Sequence, residues 1–364
     1  MNGKSRRHSR MRLVAYTDNV ERGGADLSMS HLLRCLNPAV DVTVLGVSPS
    51  IVQWVAAARP IAATRVVPRP RSGHDWRSLA AHLRVIREID PDIVHANLSS
   101  PWSCQYAIAA AGPLRGPRVV AVYQLVVPPI SGRQRFAKRL TARLVDRHVG
   151  VGEQTSREVQ ELLGLEHGSV STIHNGVPDQ EHHPLPRPRG GPLVGAIGRL
   201  EVQKGFDTLI RAVAQIEGAT LVLTGDGSQR SSLERLASSL GVADRIVWTG
   251  WSDDPRGYFP SLDVVALPSR FEGFPLVALE ALLASSAVVA SDVGSVAEVV
   301  RDGETGLLVP PEDPRALAGA IRSLLADEQL RRRLGAQGRQ LVLRRFTDVH
   351  MARGFESLYD ELLA

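Results

Sequence analysis

Short runs of Val, Ile, Leu and Ala alternate along this chain with longer stretches whose apolar residues recur at helical spacing. In the first half, RLVAYT (12–17), DVTVLGV (41–47), DIVHAN (92–97), RVVAVYQ (118–124) and HVGVG (148–152) read as strands. Their near-continuous apolar character suits a parallel sheet covered on both faces. DLSMSHLLRCL (26–36) and LAAHLRVIREI (79–89) read as helices between them, giving repeated βαβ order. Residues 182–192, HHPLPRPRGGP, interrupt the rhythm as a linker rich in proline and glycine. A second series follows: LVGAIG (193–198), ATLVLTG (219–225), RIVWTG (245–250), DVVALP (263–268), AVVAS (287–291) and GLLVP (306–310). Helical patterns resume at Asp313, and the last, 347–363, is long enough to pack back on the first domain.

The expected organisation is α/β: two doubly wound, Rossmann-like domains facing across a cleft. A basic tail at 1–11 precedes a first domain at 12–181, and the linker at 182–192 leads to a second at 193–346. Ligands of doubly wound sheets bind beyond the carboxyl ends of the strands, so the cleft is the default site. Composition agrees: 364 residues, 43% of them hydrophobic, is ordinary for a globular chain of two domains. Two cysteines, Cys35 and Cys104, are too few for a disulfide framework or a metal cluster and fit a cytoplasmic protein. MNGKSRRHSRMR carries five basic side chains, but LVAY (13–16) runs straight into Thr17, Asp18 and Asn19, too short for a signal peptide. A net charge of +5 favours anionic partners. Aromatic residues at 5% and scattered cations argue against nucleic acid.

The chemistry concentrates in DVVALPSRFEGFPLVALEALLA. Glu280 is the only charged residue between Glu272 and Asp292, inside an apparently buried helix. An isolated carboxylate there is costly unless the fold or a ligand satisfies it. The helix is expected to begin near Phe274 or Pro275, leaving the first-turn amides of Leu276 and Val277 to receive a phosphate. Glu280, four residues after Leu276, lies one turn deeper on the same face, where a ribose could offer hydroxyls. In GAIGRLEVQKGFDTLI, Arg199 follows a strand and Lys204 precedes a helix. They are either surface charges or a clamp for a diphosphate leaving group.

GRLEVQKGFDTLIRAV, LVLTGDG, LPSRFEGFPLVALEALL and GETGLLVPPEDPRAL, in this order and spacing, resemble the C-terminal domain of retaining GT-B glycosyltransferases of the "glycosyl transferases group 1" kind. That family's Glu, seven residues, Glu signature is met by Glu272 and Glu280. The resemblance implies a nucleotide-diphosphate-sugar donor and retention of configuration, with no metal or cofactor required. It assigns Arg199 and Lys204 to the diphosphate, Glu272 to the sugar and Glu280 to the ribose. Gly225, Trp251, Gly273, Phe274, Leu276 and Val277 would complete the donor site.

The first half matches less fully. DNVERGGADLSMSHLL resembles the family's glycine-rich loop, where Gly23 and Gly24 either let the backbone approach donor phosphates or serve a turn needing positive φ. Asp26 stands where Glu is usual. PDIVHANL resembles a strand end in which Asn97 replaces a second histidine, leaving His95 as either a structural residue or a catalytic candidate. Gln124 in VVAVYQL occupies a position often held by histidine, and glutamine cannot act as a base at neutral pH. Gly152, Ser295 and Ala297 are smaller departures. SGRQRFAKRLTARLVDRH places Arg133, Arg135, Lys138, Arg139 and Arg143 along a helix with Phe136, Leu140 and Leu144. This is either an ordinary amphipathic helix with a basic outer face or a patch for an anionic membrane surface.

The expected protein is thus a cytoplasmic retaining glycosyltransferase, either free or associated with the inner face of the membrane. It would move a hexose or N-acetylhexosamine from a UDP- or GDP-sugar to a hydroxyl of a lipid-linked or polysaccharide acceptor bound by the first domain. A sugar-nucleotide epimerase of the same architecture and a catalytically silent nucleotide-sugar-binding subunit are the alternatives. A nicotinamide dehydrogenase is disfavoured, because NVERGGAD offers no G-x-G-x-x-G.

Overall fold

The computed structural model describes residues 10–71, 74–128, 131–180, 184–187, 191–252 and 254–364, without the Arg133 side chain. Most of the expected basic tail and residues 182, 183 and 188–190 of the expected linker lie outside them. The chain divides into two compact units, residues 1–176 with 348–364 and residues 177–347. The division therefore falls at Gly176 and Val177, earlier than the linker expected at 182–192. Described residues of that stretch are held by the second unit: Leu185 N donates to Gly257 O at 2.8 Å, and Arg187 Nη2 to Asp263 Oδ2 at 3.0 Å.

The first unit holds a parallel sheet ordered β3-β2-β1-β4-β5-β6-β7. Its strands are β1 (Arg12–Thr17), β2 (Asp41–Gly46), β3 (Ala63–Val66), β4 (Ile93–Leu98), β5 (Arg118–Tyr123), β6 (Arg147–Gly150) and β7 (Ser171–Thr172). The central strands β1, β4 and β5 are buried nearly throughout, which explains their continuous apolar sequence. Two strands escape the hydrophobic pattern: ATRV of β3 is an exposed sheet edge, and β7 has two residues.

The C-terminal helix Asp348–Leu363 is part of this unit's core, with Met351, Phe355 and Tyr359 buried against it. Arg34, near the end of the helix Gly24–Cys35, pairs with the buried Asp348. Just before that return, Val177 N donates to Phe346 O at 3.0 Å.

The second unit holds a parallel sheet ordered β10-β9-β8-β11-β12-β13. Its strands are β8 (Leu193–Ile197), β9 (Thr220–Thr224), β10 (Ile246–Gly250), β11 (Val264–Leu267), β12 (Val288–Ser291) and β13 (Leu307–Val309). All six coincide with apolar runs in the sequence. In each sheet the order reverses direction beside the first strand, at β1/β4 and at β8/β11. Such switch points open a crevice at the carboxyl ends of the strands.

Candidate active site

At the carboxyl edge of the second sheet, the loop after β8 carries Arg199 and then a 3₁₀ turn, Val202–Lys204. Gly205 follows at φ +63°, where a Cβ would sit 2.0 Å from Pro268 O. Only glycine permits this close approach, and it carries Lys204 to the loop after β11. There Lys204 Nζ lies 2.5 Å from Glu272 Oε1, which also accepts from Ser269 Oγ at 2.6 Å. Glu272 is buried despite its place in a loop. Gly294, at φ +52°, presses on it from the loop after β12; a Cβ there would come within 1.8 Å of Glu272 O.

A residue that sequence reasoning passed over ties these loops together. Arg270 donates from Nη1 and Nη2 to the two carboxylate oxygens of Asp207, each at 2.9 Å. It also reaches Val202 O and Glu312 Oε1, each at 2.7 Å. One planar guanidinium thus fastens the Lys204 turn to the Glu272 loop. The available signal was an arginine two residues before the first signature acid.

The helix Leu276–Leu283 begins later than expected, with Pro275 as its cap rather than in its first turn. Its first internal bond runs from Ala278 N to Pro275 O, so the amides of Leu276 and Val277 precede the hydrogen-bonded ladder. One turn deeper, Glu280 is 9% exposed. Among the described residues it makes no side-chain hydrogen bond or ion pair. Burial pushes its pKa up to about 7, with Arg256 pulling it down and Asp254 pushing it up. Arg256 is itself paired with Asp254 at 2.7 Å. Among the described residues, then, this carboxylate has only the charge of Arg256 to offset its burial.

The remaining expected donor positions divide. Arg199 is exposed, and its side chain has no hydrogen bond or ion pair among the described residues. Gly225 ends β9 and donates to Gly250 O at 2.8 Å, and Trp251, 56% exposed, follows β10 at the same sheet edge. Gly273 and Phe274 are buried, and the Phe274 ring packs on Phe346 at 5.3 Å. Phe274 therefore supports the loop from the core side.

In the first unit, Gly23 is extended (φ −151°), Gly24 opens a helix, and neither takes positive φ. A Cβ at either would meet nothing within 4 Å. The turn therefore does not require glycine, and the space before it is open. Asp26 is buried and accepts from Thr17 Oγ1 at 2.8 Å and Asn19 Nδ2 at 2.9 Å. His95 is a core residue instead of a candidate base. Its Nδ1 shares a 2.7 Å hydrogen bond with Tyr359 Oη, and burial pushes its pKa down to about 3.

Gln124 and Asn97, which stand where histidines were expected, are bonded to each other: Gln124 Nε2 donates to Asn97 Oδ1 at 2.9 Å. Asn175 Nδ2 donates to Gln124 Oε1 at 3.0 Å, and Ser28 Oγ to Asn175 Oδ1 at 2.6 Å. Amides and a hydroxyl, none titratable near neutrality, form this network. The basic helix is also revised. Lys138 is buried, Phe136 and Leu140 are exposed, and the Arg133 side chain lies outside the described residues.

Residues 178–341 match the family described as "Glycosyl transferases group 1", and residues 22–181 match "Glycosyltransferase Family 4". Each half of the chain thus resembles a glycosyltransferase domain. Among curated relatives, the lipopolysaccharide core biosynthesis glycosyltransferase LpsE of Rhizobium meliloti is 38% identical over 45% of this chain and 48% of its own length. The D-inositol 3-phosphate glycosyltransferase of Nocardia farcinica is 31% identical over 65% of this chain and 56% of its own. The chain spans about half, or less, of the length of the first such relatives. Among solved structures, Anabaena HepE in complex with UDP-glucose superposes with a TM-score of 0.85 at 20% identity, covering 96% of this chain and all of that one. Sucrose-phosphate synthase from Thermosynechococcus elongatus gives 0.81 at 23% identity, covering 97% and 99%. The architecture, two parallel-sheet α/β units, is the GT-B fold of these neighbours. The family-model matches support a group 1 glycosyltransferase.

Proposed function

We propose that the chain transfers a hexose or N-acetylhexosamine, with retention and without a required metal, from a nucleotide-diphosphate sugar to a hydroxyl acceptor. UDP is favoured as the nucleotide, since the HepE neighbour is solved with UDP-glucose. The second unit binds the donor. Its diphosphate meets the amides of Leu276 and Val277 together with Arg199 and Lys204, and its ribose hydroxyls donate to Glu280. Glu272, released from Lys204 as the phosphates arrive, accepts from the sugar. Negative charge grows on the departing diphosphate, and these fixed donors stabilise it there. The first unit binds the acceptor, a lipid-linked or growing polysaccharide glycan at the inner face of the membrane, with Gly23, Gly24 and Gln124 facing the reactants. Gln124 orients by hydrogen bonding, so deprotonation of the acceptor falls to the leaving phosphate.

The observation that carries this reading is the buried, unpartnered carboxylate of Glu280 one turn beneath two free amides. Melting curves with UDP-, GDP- and ADP-sugars test it, because a ligand bound only by the folded protein raises its melting temperature. A UDP-sugar shift that disappears in Glu280→Ala is expected. Equal shifts in both proteins would defeat the assignment.

A further inference from the structure

The helix Gly132–Ala142 is turned inside out relative to its amphipathic pattern. Lys138 is 3% exposed, while Phe136 is 72% and Leu140 55% exposed. The Lys138 ammonium has no hydrogen-bond partner. Its nearest compensation is the Tyr123 ring, 5.2 Å from Nζ to centroid, and burial lowers its pKa to about 8. Burying an unpaired amine is unfavourable, and so is exposing a phenylalanine and a leucine beside each other. A rotation of the helix would relieve both, yet the fold keeps the apolar pair outward.

Residues four apart share a helix face, so Phe136 and Leu140 form one apolar spot. Arg135, Arg139 and Arg143 recur at the same spacing along its flank and are exposed. Arg139 is tethered, donating from Nε to Leu162 O at 3.3 Å. The side chains of Arg135 and Arg143 make no hydrogen bond or ion pair among the described residues. No acidic residue occurs from Gly132 to Arg143, and the next one, Asp146, is paired with Arg118 at 3.1 Å. A second copy of this face would oppose arginine to arginine, whereas anionic headgroups over an apolar interior complement it.

We propose that this face docks on an anionic lipid bilayer, with Phe136 and Leu140 entering the headgroup boundary and Arg135, Arg139 and Arg143 meeting lipid phosphates. The purpose of the docking rests on the lipid-linked acceptor proposed above; the docking itself is measured without any sugar.

The full chain is sedimented with vesicles of phosphatidylcholine alone and of phosphatidylcholine mixed with phosphatidylglycerol. Recovery on the mixed vesicles only, decreasing with salt, is expected. Each basic residue near such a surface is worth about a fivefold change in partitioning, so Arg135→Gln with Arg143→Gln should lower it roughly thirtyfold. Phe136→Ser should weaken what remains at high salt. Phe136→Trp should be quenched by bromine-labelled acyl chains, which reports insertion directly. Each substituted side chain is exposed, and an unchanged UDP-sugar melting shift shows that the donor site is intact. Equal recovery on both vesicle types, or wild-type binding by the double arginine variant, overturns the proposal. A concentration-dependent dimer abolished by Phe136→Ser would overturn it in favour of a second copy. Vesicle binding without any nucleotide-sugar shift would instead count against the enzymatic reading alone.

Discussion

Lys204 Nζ and Glu272 Oε1 lie 2.5 Å apart, so the cation expected at the diphosphate and the acid expected at the sugar neutralise each other before any donor arrives. Side-chain exposures of 20% and 8% keep the pair largely out of water. Donor phosphates and a sugar hydroxyl would divide the pair between them. The ion pair thus holds both groups in place beforehand, and preorganisation of this kind makes electrostatic catalysis effective.

Lys204→Ala should therefore lower kcat much more than it raises KM. By analogy with loss of a single oxyanion donor, the barrier should rise by about 3 kcal/mol, a rate loss of more than a hundredfold. Steady-state kinetics with saturating donor measure this. Unchanged turnover would remove Lys204 from the leaving-group site.

Glu280 should make donor affinity depend on pH. Its folded-state pKa is raised to about 7 by burial, so the native protein retains a proton that the unfolded chain has lost. This group's contribution to stability is therefore greatest below the unfolded carboxyl pKa and falls as pH rises through about 7. Ribose hydroxyls donate best to the ionised form, so binding works in the opposite direction. Nucleotide affinity should fall about tenfold from pH 8 to pH 6, and Glu280→Gln should flatten the profile. Calorimetry in buffers of different ionisation enthalpy should also show proton release on binding below pH 7. A pH-independent affinity in the wild-type chain would be inconsistent with ribose on this acid.

Arg270→Ala should free the Lys204 turn from the Glu272 loop without touching either residue. Asp207 and Glu312, the two acids it holds, are 38% and 62% exposed, so solvent screens part of the loss. About 2 kcal/mol is expected, a fall of several degrees in the melting temperature of the second unit. The donor KM should rise with it, because Lys204 and Glu272 lose their common anchor. Melting and donor titration on the same preparation test the link; a lowered melting temperature with unchanged donor KM would mean that Arg270 only stabilises the unit.

Tyr359→Ala should act on the first unit alone. The tyrosine is fully buried on Phe355 and shares a hydrogen bond with His95. Its truncation should cost about 3–5 kcal/mol, as large aromatic deletions in cores do. A scanning calorimeter should show an early transition, with the UDP-sugar shift of the second unit preserved. His95→Phe should keep the ring's packing and retain transfer activity, as expected of a histidine enclosed in the core.

How much of this was legible beforehand depended on which face a residue had to occupy. β8, β9, β11 and β12 of the second sheet were readable because they are buried throughout, and continuous burial selects continuous apolar sequence. β3 was not, because an exposed edge strand places no such demand on ATRV. Glu280 was readable as a charge in an apolar run, and its lack of a side-chain hydrogen bond or ion pair among the described residues is the three-dimensional counterpart of that isolation. His95 was left between a structural and a catalytic role, because a histidine at a strand end looks the same whether it meets solvent or the ring of a helix more than two hundred residues later. Its role as a core residue was decided when the C-terminal helix joined the first unit.

The sequence by itself thus determined the alternation of strands and helices, the two-sheet architecture and the acids of the donor signature. These properties follow from local periodicity and from residue chemistry at fixed spacing. Only the tertiary structure decided that Lys204 meets Glu272, that Arg270 binds their loops together, and that Lys138 turns inward while Phe136 faces out. Those outcomes depend on contacts between segments distant in the chain and on the rotation of a helix about its own axis. Neither is encoded in the order of polar and apolar residues within any one segment.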